Sequence, residues 1–89
     1  MYLGKVIGTV VSTSKDESLA GTKLLIVARM TERVVPEGTT EIAVDTVGAG
    51  NGEIVIVSQG SGSRHTMGKE HSVIDASIVG IVDTVETAS

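Results

Sequence analysis

Two segments of this chain are apolar on both faces of an extended backbone: Leu24-Leu-Ile-Val-Ala28 and Ile54-Val-Ile-Val57. Successive side chains of a strand point to opposite faces, so a strand wetted on one side alternates apolar and polar residues. These two do not alternate, and both of their faces need cover. Ile78-Val-Gly-Ile-Val82 has the same character. The first extended stretch places Val6 and Val10 on one face and Leu3, Ile7 and Val11 on the other. A small barrel has one inside, and no segment shows the 3.6-residue apolar repeat of a covering helix. The second faces therefore call for another chain.

Composition leads the same way. Val, Ile and Thr number 14, 8 and 10, so 32 of 89 residues are β-branched, which favours strands. There is one Tyr, and no Phe, Trp or Cys. A domain this small, without disulfides, a metal centre or a large aromatic core, needs outside support, and a partner subunit is the simplest.

Five strands are expected, at about residues 2–12, 23–30, 41–47, 53–58 and 78–85. Pro36-Glu-Gly38 reads as a turn, since Pro fixes φ and Gly permits positive φ. Gly48-Ala-Gly-Asn-Gly52 reads as a hairpin link between the third and fourth strands. Residues 60–72 form the longest connector, with room for a short helical turn near 61–66. The expected fold is all-β: a small five-stranded OB-like β-barrel with Gly-rich turns and at most one short helix. It occupies residues 1–89 as a single domain, with 84–89 as a short tail.

Several function classes are excluded on chemistry. Residues 1–69 carry seven charges of each sign, so the net charge of −4 sits on Glu70, Asp75, Asp83 and Glu86. Nucleic-acid binding needs clustered Lys and Arg or stacking aromatics, and neither is present. No run approaches 18 apolar residues, so no membrane-spanning helix is expected. Met1-Tyr-Leu-Gly-Lys5 lacks the charged head and apolar stretch of a secretory signal, which points to a cytoplasmic location.

The Gly48–Gly52 segment is not a dinucleotide loop, because Glu53 stands where the third glycine belongs and no helix follows. His65 and His71 have no metal-ligand spacing, and Ser63-Arg64-His65 lacks a carboxylate to orient the imidazole, so neither a metal nor a catalytic site is expected. Asp45 and Glu53 flank the glycine link and read as interface or rim charges rather than an acid–base pair. Arg29, Arg33 and Arg64 read as ion-pair partners. No cofactor is expected.

Taken in order, Met1-Tyr-Leu-Gly-Lys-Val-Ile-Gly-Thr-Val-Val-Ser12, Leu19-Ala-Gly-Thr-Lys-Leu-Leu-Ile-Val27, Ala43-Val-Asp-Thr-Val-Gly-Ala-Gly-Asn-Gly-Glu53, Gly60-Ser-Gly-Ser-Arg64 and Asp75-Ala-Ser-Ile-Val-Gly-Ile-Val-Asp83 resemble the bacterial microcompartment vertex proteins of the EutN/CcmL family. The resemblance runs from Tyr2 to about Asp83. It departs at Gly62-Ser63, where the family often has Ser-Ala, and at Val73, where it often has Pro. It implies a structural, non-enzymatic β-barrel that assembles as a homopentamer. It also implies that the pentamer caps the vertices of a polyhedral shell of hexagonal tiles in the cytoplasm, with a narrow opening on the five-fold axis. A ring-forming co-chaperonin-like barrel is the alternative. It should carry a long mobile apolar loop after the first strand, where residues 12–18 are short and polar.

By position in the motifs, the expected interface or axial-opening residues are Asp45, Val47, Gly48, Ala49, Gly50, Asn51, Gly52, Glu53 and Arg64. Ile78, Val79, Ile81 and Val82 join them as apolar contact.

Overall fold

The computed structural model describes residues 1–11, 22–60 and 75–88. The expected helical turn near 61–66 and Arg64 lie outside the described residues.

Five strands are present: β1 (Tyr2–Val10), β2 (Lys23–Met30), β3 (Pro36–Asp45), β4 (Ile54–Gln59) and β5 (Ala76–Val82). They close into a barrel in the order β1-β2-β3-β5-β4, with β4 returning to β1. All neighbours are antiparallel except β3 and β5, which run parallel. The all-β barrel expected from composition is therefore observed.

The interior is built from one face of every strand. Val6, Leu25, Val27, Ala43, Val55, Val57 and Ile78 are buried, joined by Tyr2, Ala76 and Ala49. Short β-branched side chains suit this space, because a barrel of so few strands has a narrow interior that they fill in restricted rotamers. Gly4 belongs to the same packing. A Cβ there would stand 2.2 Å from Val27 Cγ1 and 3.3 Å from the Ala28 carbonyl, so only glycine fits between β1 and β2.

Three expectations are corrected. Val6 and Val10 do not share a face: a bulge between Val6 and Gly8 shifts the register, so Val6 pairs with buried Val27 while Val10 pairs with Leu24. One extra residue reverses the alternation, and that residue, Ile7, is exposed. The turn before β3 is not at Pro36–Gly38 but at residues 31–35. There the Thr31 amide donates to the Val35 carbonyl (2.9 Å) and Thr31 Oγ1 accepts from the amides of Arg33 and Val35. Pro36 opens β3, a position where its missing N–H is tolerated. Gly38 does take the positive φ expected of it (91°), though inside β3, and a second positive φ falls on Val34 (60°), an unusual place for a β-branched residue.

Third, the Gly48–Gly52 segment is not a hairpin. β3 and β4 are not neighbours, since β5 lies between them. The link steps across the end of β5.

Candidate functional site

Three surfaces define what this barrel can do: its two ends and its outer wall. At the first end the crossover from β3 to β4 is held by two carboxylates acting on the backbone. Asp45 Oδ1 accepts the amides of Val47 and Gly48, each at 3.0 Å. Its other oxygen lies 3.7 Å from Lys23 Nζ, and the Asp45 side chain is only 2% exposed. Lys23 in turn donates to the Ala49 carbonyl (3.3 Å). Glu53 Oε1 accepts the Gly50 amide at 2.6 Å. The crossover also continues the sheet: the Gly52 amide donates to the Val6 carbonyl (2.8 Å) and the Val6 amide to the Glu53 carbonyl (3.0 Å). Thr46 Oγ1 donates to the Ile78 carbonyl at 2.5 Å.

The glycines of this segment allow that path. Gly48 (φ 79°) and Gly52 (φ 88°) adopt left-handed conformations in which a side chain would be strained. Asp45 and Glu53 thus act separately on the backbone and not on each other across a turn. Ala49 and Ile78, expected at an interface, are fully buried within the single chain, so their side chains belong to the barrel core. Alternation alone could not distinguish them from interface residues. Val47 (40% exposed) and Ile81 (39%) are accessible, as are Asn51 and Gly52, while Val79 and Val82 are half-buried.

The opposite end carries a polar cluster that the sequence did not announce, because its members lie far apart along the chain. The Tyr2 hydroxyl donates to Glu41 Oε1. Gln59 Nε2 lies 3.0 Å from each Glu41 oxygen. The Arg29 guanidinium sits 4.3 Å from the Tyr2 ring centroid, a cation–π stack, and its Nε lies 3.4 Å from Glu37 Oε2. Burial pushes the Tyr2 phenol above its usual 10, and so do the hydrogen bond to Glu41 and that carboxylate's charge; Arg29 pulls the other way. Tyr2, Arg29, Glu41 and Gln59, with Thr39 and Thr40, line a hollow of about 210 Å³. Arg29, expected as an ion-pair partner, has that role within its own chain.

The outer wall is apolar in two separate strips. Across β1-β2-β3, Gly8 pairs with Ile26 and Ile26 with Ile42, which is 55% exposed. Across β1-β4-β5, Leu3 pairs with Ile56 and Ile56 with Gly80, with Ile54 paired to Val82 beside them. In each strip a glycine lies against an isoleucine, at a spacing where a Cβ would make ordinary van der Waals contact. A Cβ at Gly8 would stand 3.4 Å from Ile26 Cδ1, and one at Gly80 3.6 Å from Ile56 Cδ1. Smooth apolar strips on a closed barrel are surfaces for association. Among the described residues, no three His, Cys, Asp or Glu side chains converge as a metal site, and no helix is long and apolar enough to cross a membrane.

A small closed barrel with a braced crossover and an association-ready wall is the architecture of a subunit that functions by assembling. The family model "Ethanolamine utilisation protein EutN/carboxysome" matches residues 1–83, and the chain belongs to this EutN/CcmL family. It is 74% identical, over the full length of both chains, to the bacterial microcompartment shell vertex protein GrpN of Rhodospirillum rubrum. It is 48% identical to the shell vertex protein PduN of Salmonella typhimurium, covering 96% of this chain and 98% of that one. Among solved structures it resembles the GrpN pentameric microcompartment shell protein of R. rubrum, with a TM-score of 0.90 and 73% identity over 99% of this chain and all of that one.

Proposed function

We propose that this chain is the pentameric vertex subunit of a bacterial microcompartment shell in the cytoplasm. Its role is structural rather than catalytic, and its outward partners are the hexagonal shell proteins that meet at a vertex. The observation that carries the reading is the end-to-end identity with a shell vertex protein. The outer wall supplies a physical route to a ring. A cyclic assembly of more than two copies uses a heterologous interface, in which two unlike patches of one subunit meet. The Gly8/Ile26/Ile42 strip and the Leu3/Ile56/Gly80 strip are such a pair. The exposed part of the crossover, Val47 and Asn51–Gly52, together with Ile81, is then available for the rim of the ring or its axial opening.

Native mass spectrometry tests this. A species of five times the 9.1 kDa chain mass is expected. A monomer, or a seven-fold ring of the co-chaperonin kind, would overturn the reading. The interface assignment has its own test. Ile42→Asp and Ile56→Asp should each abolish the ring. Mixed together they should form heterodimers, because each variant keeps the strip that the other has lost. A mixture that stays monomeric shows that these strips do not meet.

A further inference from the structure

The two apolar strips sit unevenly around the barrel. One is centred on β2 at Ile26 and the other on β4 at Ile56. In the closed order β1-β2-β3-β5-β4, these strands are two steps apart through β1 and three steps apart through β3 and β5. A subunit of a closed ring meets its two neighbours less than half a turn apart, measured on the side that faces the axis. The short arc is therefore the axial one, and β1 is its only strand. This placement rests on the pentameric reading above, with the two strips as its contacts.

The charge on β1 agrees with it. Outward Leu3 and Lys5 alternate with inward Tyr2, Gly4 and Val6. Leu3 begins the strip on β4 and Gly8 the strip on β2, and exposed Lys5 lies between them, paired with Ala28 and Ile54. Lys23 has Asp45 and Arg29 has Glu37, but among the described residues no carboxylate pairs with Lys5. Glu53, next to Ile54 in the chain, turns its Oε1 to the Gly50 amide instead. An unpaired ammonium is costly to bury against apolar surface, so Lys5 stays in water when the strips on either side of it are covered.

We propose that β1 faces the five-fold axis, and that the five Lys5 ammonium groups form a binding site there for a small multivalent oxyanion. Like charges gathered around an axis repel one another. An anion held among them relieves that repulsion and accepts charge-assisted hydrogen bonds. The site is a positive spot on a chain whose net charge is −4.

The chain has no cysteine, so Lys5→Cys introduces a single thiol. The same residue of neighbouring copies comes close only near the axis. A short bis-maleimide, applied to dilute pentamer, should therefore link subunits into dimers on a denaturing gel. Thr40→Cys, exposed on β3 in the long arc, should link far less. If Lys5→Cys does not assemble, Ile7→Cys at the exposed bulge takes its place. Inorganic tripolyphosphate is the anion probe. Calorimetry should show one bound per pentamer, and Lys5→Gln should lose it while native mass spectrometry still shows the ring. A chain that stays monomeric overturns the vertex reading and this placement with it. An intact pentamer that links no better through position 5 than through position 40 overturns the axial placement alone. Tripolyphosphate binding that is absent from the parent, or unchanged in Lys5→Gln, overturns the anion site.

Discussion

The two ends of the barrel solve the same problem by different means. At the crossover end, carboxylates accept hydrogen bonds from backbone amides close by in sequence: Asp45 from Val47 and Gly48, Glu53 from Gly50. At the opposite end, one carboxylate is shared by side chains 39 and 18 residues away. The first arrangement fixes the path of one segment, and its glycines are required by left-handed backbone. The second fixes the spacing of strands, and demands nothing of the local backbone. The crossover end should therefore tolerate substitution less well than the Glu41 end.

The largest effect is expected from Asp45→Ala. It strips a buried acceptor from two amides and leaves Lys23 without its carboxylate, at a cost of about 3 kcal/mol. Asp45→Asn, which keeps one acceptor oxygen, should recover part of that loss. Chemical denaturation of both variants measures the difference, and an Asp45→Ala protein as stable as the parent would break the contrast between the ends.

Gly4→Ala comes next. Its new Cβ overlaps Val27 Cγ1, a short branched side chain with little room to yield. Overpacking of this kind costs about 1–3 kcal/mol, read as a lower melting temperature.

Tyr2→Phe is milder at neutral pH, at about 1 kcal/mol for one lost hydrogen bond. Its sharper signature is alkaline. The folded phenol is held above its unfolded value of 10. The neutral-phenol stabilisation is therefore complete below pH 10 and is lost as pH rises beyond it. Tyr2→Phe should flatten that alkaline decline. Because Tyr2 is the sole tyrosine and there is no tryptophan, its ionisation can be followed directly by ultraviolet absorbance. A phenol that titrates at its usual value would sink the contact with Glu41.

The smallest effect should be a gain. Val34→Asn replaces a β-branched residue at φ 60° with one that accepts this conformation. It should raise stability by about 1 kcal/mol, seen as a modest rise in melting temperature. A loss would mean that Val34 contributes packing worth more than its strain.

These contrasts also mark what could be read in advance. The position of β2 was legible because Leu24–Ala28 is an unbroken apolar run flanked by Lys23 and Arg29. The pairing of β3 with β5 was not. The glycines at 48, 50 and 52 fit a hairpin equally well, and only the position of β5 between β3 and β4 turns the same residues into a crossover. Val34 illustrates a second limit. Pro36 and Gly38 carry the stronger turn signals, yet the positive φ of the turn falls on a residue whose type argues against it. The Tyr2–Glu41–Gln59 cluster was out of reach altogether, because no local pattern links residues on three strands.

The sequence by itself determined the class of structure. Its β-branched runs, missing helix periodicity and doubly apolar strands dictated a barrel with an outer wall suited to partners, and its motifs carried the family. Both follow from composition and alternation, which are properties of short stretches. Tertiary structure alone decided strand order, the bulge that sends Val6 and Val10 to opposite faces, the burial of Ala49 and Ile78, and the Tyr2–Glu41–Gln59 cluster. Each depends on which strands become neighbours, and that is settled by closing the barrel around one core rather than by any segment alone.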